Sequence, residues 1–279
     1  MTGKLIKYEF RSSIKLMALI WAAIIVSSVL FSLCGNAFQG AVVDGSDPQV
    51  AGLFGEIVTF ITGFMYFISI MAMIVITIVL IILRFYRGLF GSEGYLMNTL
   101  PVKSWQLITS KGVVAAVLVI AGVAVSIISV MILAGLSGIA DITYAFREIS
   151  AVMKAEPILI LTVIELIIIV IVGLLKSIYQ VYASLAIGQL VNKHRILLAL
   201  GAYIGINIAL SVIAMILMTI AGATGMSDWF IMTLDINDAD SMISISQTLI
   251  ALIFGITAVQ LVAFHIVTER IMSLKLNLQ

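Results

Sequence analysis

Six long apolar stretches, at roughly 16–34, 57–83, 113–136, 158–190, 196–222 and 245–267, restrict what this chain can fold into. Each is at or above the ~20 residues a helix needs to cross ~30 Å of hydrocarbon. In hydrocarbon the backbone N–H and C=O groups must be satisfied inside the protein, so stretches of this length read as α-helices. Hydrophobic residues make up 62% of the chain and charged ones 10%, against roughly 45–50% and 25% in a soluble domain. A water-soluble protein of 279 residues would need far more polar side chain to cover its surface. The expected fold is therefore all-α and polytopic, six transmembrane helices forming one membrane domain over 1–279. The longest loops, of about 20–30 residues, are too short to bury a core of their own. Pro157 sits where a helix can start without losing a hydrogen bond, and Gly35, Gly135 and Gly138 lie where helices can stop.

The charges between the stretches sort by side. Lys4, Lys7, Arg11 and Lys15, then Arg84, Arg87, Lys103 and Lys111, then Lys193 and Arg195, and finally Arg270 and Lys275 fall on one side. The other side has Arg147 and Lys154 as its cations, with Asp44, Asp47, Glu56, Asp141, Glu148, Glu156, Asp228, Asp235, Asp238 and Asp240. By the positive-inside rule the first side is cytoplasmic, which puts both termini there. The run from Leu16 to Leu33 is longer than a signal-peptide core and lacks an A-x-A-like site, so it reads as a retained first span. A net charge of +1 supplies no domain-sized basic surface, so no nucleic acid is expected as a partner. The single cysteine, Cys34, cannot close an intrachain disulfide. The acidic residues from Asp228 to Asp240 do not follow EF-hand spacing, and no metal site is expected.

Ahead of the first span, Lys4, Lys7, Arg11 and Lys15 recur every three or four residues, while Ile6, Phe10, Ile14 and Met17 fall on another face. Residues 1–15 are expected to form an interfacial amphipathic helix against membrane lipid, its basic face toward anionic headgroups.

The most polar cytoplasmic segment, 84–112, contains Phe90-Gly91-Ser92-Glu93-Gly94-Tyr95-Leu96-Met97-Asn98-Thr99-Leu100-Pro101-Val102, followed by Lys103, Ser104 and Trp105. This phrase resembles one that follows the second span in permease subunits of ABC-2 type transporters, in particular the short bacterial kind. A second stretch, Gly188-Gln189-Leu190-Val191-Asn192-Lys193-His194-Arg195, is similar to the turn between their fourth and fifth spans. With the six-span layout and the basic start, the resemblance covers nearly the whole chain. It implies a dimer of permeases in a bacterial cytoplasmic membrane, a second copy or paralogue beside this one, working as an exporter. Two ATP-binding subunits would drive it by gripping a short coupling helix within about Gly91 to Leu107. Glu93, Tyr95, Pro101, Lys103 and Trp105 would then touch the ATP-binding subunit, with Gly94 shaping the backbone. ATP and Mg²⁺ would belong to that partner. The chain has no G-x-x-x-x-G-K-[ST] loop of its own, because Gly173-Leu174-Leu175-Lys176-Ser177 lacks the second glycine and lies inside an apolar helix.

Within the fourth span, Glu165 and Lys176 share nearly one helical face at a separation of roughly 16 Å along the axis. An ionised lysine in hydrocarbon is costly, so Lys176 should face the bundle, a wet cavity or the dimer axis, or snorkel to a headgroup. Lys176, Tyr179 and Gln180 are the candidates to line a substrate path. Gly201, Gly205 and Ala209 form a small-residue stripe suited to close helix packing. An intramembrane enzyme is disfavoured: His194 and His265 belong to no H-E-x-x-H motif, and no G-x-S-x-G elbow occurs. A stand-alone carrier or channel is the alternative, with Glu165 and Lys176 as its ionisable groups.

Overall fold

The computed structural model of the chain describes residues 2–41, 48–90, 104–155, 158–191, 194–225 and 239–274. Among them run six helices: α1 Thr2–Ala41, α2 Pro48–Phe90, α3 Ser104–Ala155, α4 Ile158–Gly188, α5 Arg195–Ala223 and α6 Ala239–Leu274. Each contains a segment long and apolar enough to cross a membrane, namely Gly3–Cys34, Gly55–Leu89, Ser104–Gly135, Ile158–Gly188, Arg195–Ala223 and Ile245–Ser273. Large apolar side chains stand open on these helices, Val170 at 67% and Met218 at 81% exposure among them. Water would not tolerate so much uncovered apolar surface, whereas lipid matches it. The chain is an all-α, multi-pass membrane protein.

The helices overrun the apolar stretches that locate them. Hydropathy marks what sits in hydrocarbon, while a helix continues wherever backbone and packing permit. Thus α1 passes Gly35, an expected stop, and ends at Ala41. The segment expected as a separate interfacial helix over 1–15 is the opening of α1, continuous with the first span. Beyond the third span, where an outer loop was expected, α3 continues to Ala155. Gly135 is a kink there rather than a stop: its φ of 62° and ψ of −160° break the helical path between two helical stretches. That conformation is open to glycine and costly for residues with a Cβ.

The fold divides into two compact units, Met1–Arg84 with Val113–Glu156, and Phe85–Gly112 with Pro157–Gln279. The first unit is built on Met17, Ile20, Ile24, Met73, Val114 and Leu118, with Ile6, Phe10, Trp21, Tyr66, Ile76 and Leu80 packed around them. The apolar face of the amphipathic start is therefore covered by protein at Ile6 and Phe10. Polar pairs tie the helices of this unit together. Tyr66 and Ser129 share a hydrogen bond of 2.9 Å. Arg84 donates from Nη2 to Ser12 Oγ at 2.7 Å, and its Nη1 lies 3.6 Å from Glu9 Oε2.

In the second unit α4 packs against both α5 and α6. The last third of α4 carries its buried residues, Ile178, Tyr179, Gln180, Tyr182 to Ala186 and Gly188, while the stretch before it is half-buried or exposed. Gly188 ends α4 hard against the start of α5: a Cβ there would lie 2.7 Å from Arg195 O and 2.7 Å from Ala199 Cβ. The chain turns on hydrogen bonds from Gln189 N to Ala186 O and Leu190 N to Ile187 O. It enters α5 through His194 in the left-handed region, φ 58°.

Candidate functional site

The residues flanking the segment that carries the family resemblance belong to the second unit, as the end of α2 and the start of α3. There they meet the buried third of α4. Phe85, at 0% exposure, stacks on Tyr182, at 1%, with ring centroids 3.8 Å apart and planes within 10°. Tyr179 stands edge-on to Tyr182 at 5.8 Å and to His265 of α6 at 5.2 Å. These perpendicular placements set ring edges against ring faces, the favourable arrangement of the aromatic quadrupoles.

The Thr109 hydroxyl donates to Trp105 O at 2.6 Å, and the Tyr179 hydroxyl interacts with the Thr109 side chain. The first turns of α3 are thereby tied to α4, and Leu107, Ile108 and Ser110 are buried beside them.

Two glycines make this packing possible. A Cβ on Gly112 would lie 2.8 Å from Tyr179 Oη and 3.0 Å from its Cζ, so only a bare backbone admits the ring. A Cβ on Gly88 would collide with Nζ of Lys111, whose side chain is buried at 5% exposure against the end of α2. What stands opposite sets the cost of filling each place. The ammonium terminates a flexible side chain and can swing aside, whereas a buried ring cannot. Gly88→Ala is therefore expected to lower stability by about 1 kcal/mol, through displacement of Lys111 from its buried place. Gly112→Ala should cost about 1–3 kcal/mol by overpacking. Thermal unfolding of the two purified variants in one detergent checks the order, and a Gly112→Ala protein as stable as wild type would contradict it.

Of the residues singled out from sequence, Tyr179 and Gln180 are buried, at 6% and 3% exposure, and Lys176 is half-buried one turn earlier on α4. Gln180 Nε2 and Glu165 Oε2 are buried atoms without a hydrogen-bond partner among the described residues. Trp105 is 41% exposed at the start of α3. Glu93, Gly94, Tyr95, Pro101 and Lys103 lie outside the described residues, as do Asn192 and Lys193. Gly201, Gly205 and Ala209 are exposed on α5, and among the described residues a Cβ on either glycine would meet nothing within 4 Å. Among the described residues no three His, Cys, Asp or Glu side chains gather as metal ligands.

Sequence reading missed Phe85, Gly88, Thr109, Gly112 and the burial of Lys111, which counted only as a topology-setting cation. One signal was available. Tyr179, Tyr182, Ala183 and Ala186 stand at i, i+3, i+4 and i+7, the spacing of one helical face, and all four are buried. Inside an all-apolar helix this face does not stand out, because the hydropathy contrast that reveals it in a soluble protein is absent. Compared with known proteins, the chain matches no family model, no curated protein and no solved structure.

Proposed function

We propose that this chain is the membrane-spanning permease subunit of an ATP-driven ABC-2 type transporter, an exporter by resemblance, energised by a separate ATP-binding subunit. The observation that carries the reading is the anchoring of both flanks of the resembling segment to the end of α4. Phe85 stacks on Tyr182, Thr109 interacts with Tyr179, and Tyr179 meets His265 of α6. A load applied by a partner to the segment between these flanks, around Glu93 to Trp105, would pass into α4 and α6 through rigid, close-packed elements. In this mechanism closure of the ATP-bound partner rocks the helices between inward- and outward-facing arrangements, and ATP with Mg²⁺ stays on the partner. The subunit lies in a bacterial cytoplasmic membrane with its termini inside, in keeping with the distribution of Lys and Arg. The open Gly201, Gly205 and Ala209 stripe of α5 suits a second permease copy or paralogue.

A tagged pull-down from native membranes in mild detergent should bring down a protein with a Walker A motif in stoichiometric amount, identified by mass spectrometry. Replacing Glu93, Tyr95 and Trp105 together by alanine should leave the chain in the membrane and abolish coupled transport. Normal ATP-driven transport in that variant would count against the assignment. A stand-alone carrier or channel is the second reading, favoured by the buried Oε2 of Glu165, without a hydrogen-bond partner among the described residues, and by Lys176 in the same helix. It predicts transport by the chain reconstituted alone, which a permease subunit would not show.

A further inference from the structure

We infer that α1 holds an anionic phospholipid from the membrane leaflet next to its N-terminal end, the headgroup on Lys4, Lys7, Arg11 and Lys15 and an acyl chain on the exposed apolar residues that follow. At 100° per residue the four cations fall within about 80° of arc on a stripe roughly 16 Å long. All four are exposed, while the opposite side of the helix buries Ser13 at 1% and Met17 at 0%.

The stripe also keeps its charge. Glu9 is the only carboxylate before Asp44 in the sequence. It turns to the packed side, its side chain 11% exposed, and lies 3.6 Å from the Arg84 guanidinium. Among the described residues none of the four cations pairs with a carboxylate. An uncompensated basic row at the edge of hydrocarbon attracts anionic headgroups, each Lys or Arg near the surface contributing about 1 kcal/mol.

The second observation is what continues the same face. Past Lys15 it runs through Ala18, Ala22, Val26, Val29 and Leu33, all exposed, with Val26 at 57% and Leu33 at 61%. Leu19, at 73%, borders it. Basic residues followed on one unbroken helix by open apolar ones match the order of groups in a phospholipid, phosphate first and acyl chain after. An acidic peptide or free phosphate would use the cations and leave the apolar row idle. The covered face at Ile6 and Phe10 leaves the basic side as the one available to lipid. The inference is independent of the proposed function, because it requires no ATPase.

Native mass spectrometry of delipidated protein, titrated with phosphatidylglycerol or with phosphatidylcholine of the same chains, tests it. Wild type should retain phosphatidylglycerol in preference, and K4Q/K7Q/R11Q/K15Q should lose that preference by about tenfold or more. The charge-preserving K4R/K7R/K15R variant should keep it, and V26N/L33N should bind both lipids more weakly. Should the quadruple variant fail to fold, the arginine variant and a rise in salt, which ought to weaken the preference, still decide. Equal retention of phosphatidylglycerol by wild type and the quadruple variant would overturn the inference. So would competition by glycerol phosphate at the same concentration as the lipid, which would indicate a phosphate site without an acyl row. Loss of an acidic protein partner from the variant, with lipid retention unchanged, would reassign the stripe to protein.

Discussion

Gly188→Ala is expected to be the most damaging single methyl group that can be added to the described residues of the second unit. Its Cβ would stand 2.7 Å from Arg195 O, 2.9 Å from Ala199 Cα and 2.7 Å from Ala199 Cβ. Two of these three atoms are backbone, so relief requires α5 to move away from α4. The displacement would also act on the turn that joins the helices, where the left-handed His194 leads into α5. Overpacking commonly costs 1–3 kcal/mol, and with backbone on the far side about 3 kcal/mol or more is expected here. For a chain of this size that is a fall of roughly 6–10 °C in Tm. The cost should persist in G188A/A199G, because removing the Ala199 methyl leaves Arg195 O and the Ala199 Cα in place. Thermal unfolding of wild type and both variants in one detergent is the measurement. Full recovery in the double variant would mean that α5 is held off by the methyl group alone. The three glycines then form a series, Gly88, Gly112 and Gly188, in which the cost rises as the opposing atoms change from a flexible terminus to a buried ring to backbone.

Phe85→Ala should be the second large effect, for the opposite reason. The ring is wholly buried and lies on Tyr182 at 3.8 Å, so its removal opens a cavity beneath a second ring that is itself 1% exposed. Phenylalanine to alanine in a core typically costs 3–5 kcal/mol, and the spread depends on how far the surroundings collapse. Tyr182 is also braced edge-on by Tyr179, which is held in turn by Thr109 and His265, so little collapse is expected. Phe85→Leu should retain about half of the lost stability, because it refills part of the volume without the stack. In a cycle with Tyr182→Ala the two losses should overlap by about 0.5–1.5 kcal/mol, the part that belongs to the ring pair itself. Strict additivity of the two would show that the rings do not act on each other. Under the proposed function Phe85→Ala should also weaken coupled transport at temperatures where the protein remains folded, since the stack lies between the resembling segment and α4.

How much of this was legible beforehand follows from the kind of physics involved. The number and approximate position of the membrane-crossing helices, and the all-α class, could be read directly, because an apolar run of ~20 residues has very few structures open to it in hydrocarbon. The helicity of the amphipathic start could be read as well, from the spacing of Lys4, Lys7, Arg11 and Lys15 against Ile6 and Phe10. Its continuity with the first span could not. No glycine or proline lies between Gly3 and Gly35 to demand a break, and hydropathy marks the edge of the bilayer without marking the end of a helix.

The candidate site divides in the same way. The sequence pointed to Tyr179 and Gln180 as exceptional because they are polar residues in an apolar helix, a statement about composition. It was silent on Phe85 over Tyr182, on Lys111 folded onto Gly88, and on Gly112 beneath the Tyr179 ring. In each of these pairs nothing in the local sequence of one residue points to the other. The identity and size of a side chain act locally, so the six spans and their helicity were determined by the sequence read on its own. Which faces meet depends on the packing of residues far apart in the chain, as between Phe85 and Tyr182 or Tyr179 and His265, and that only the tertiary structure decided.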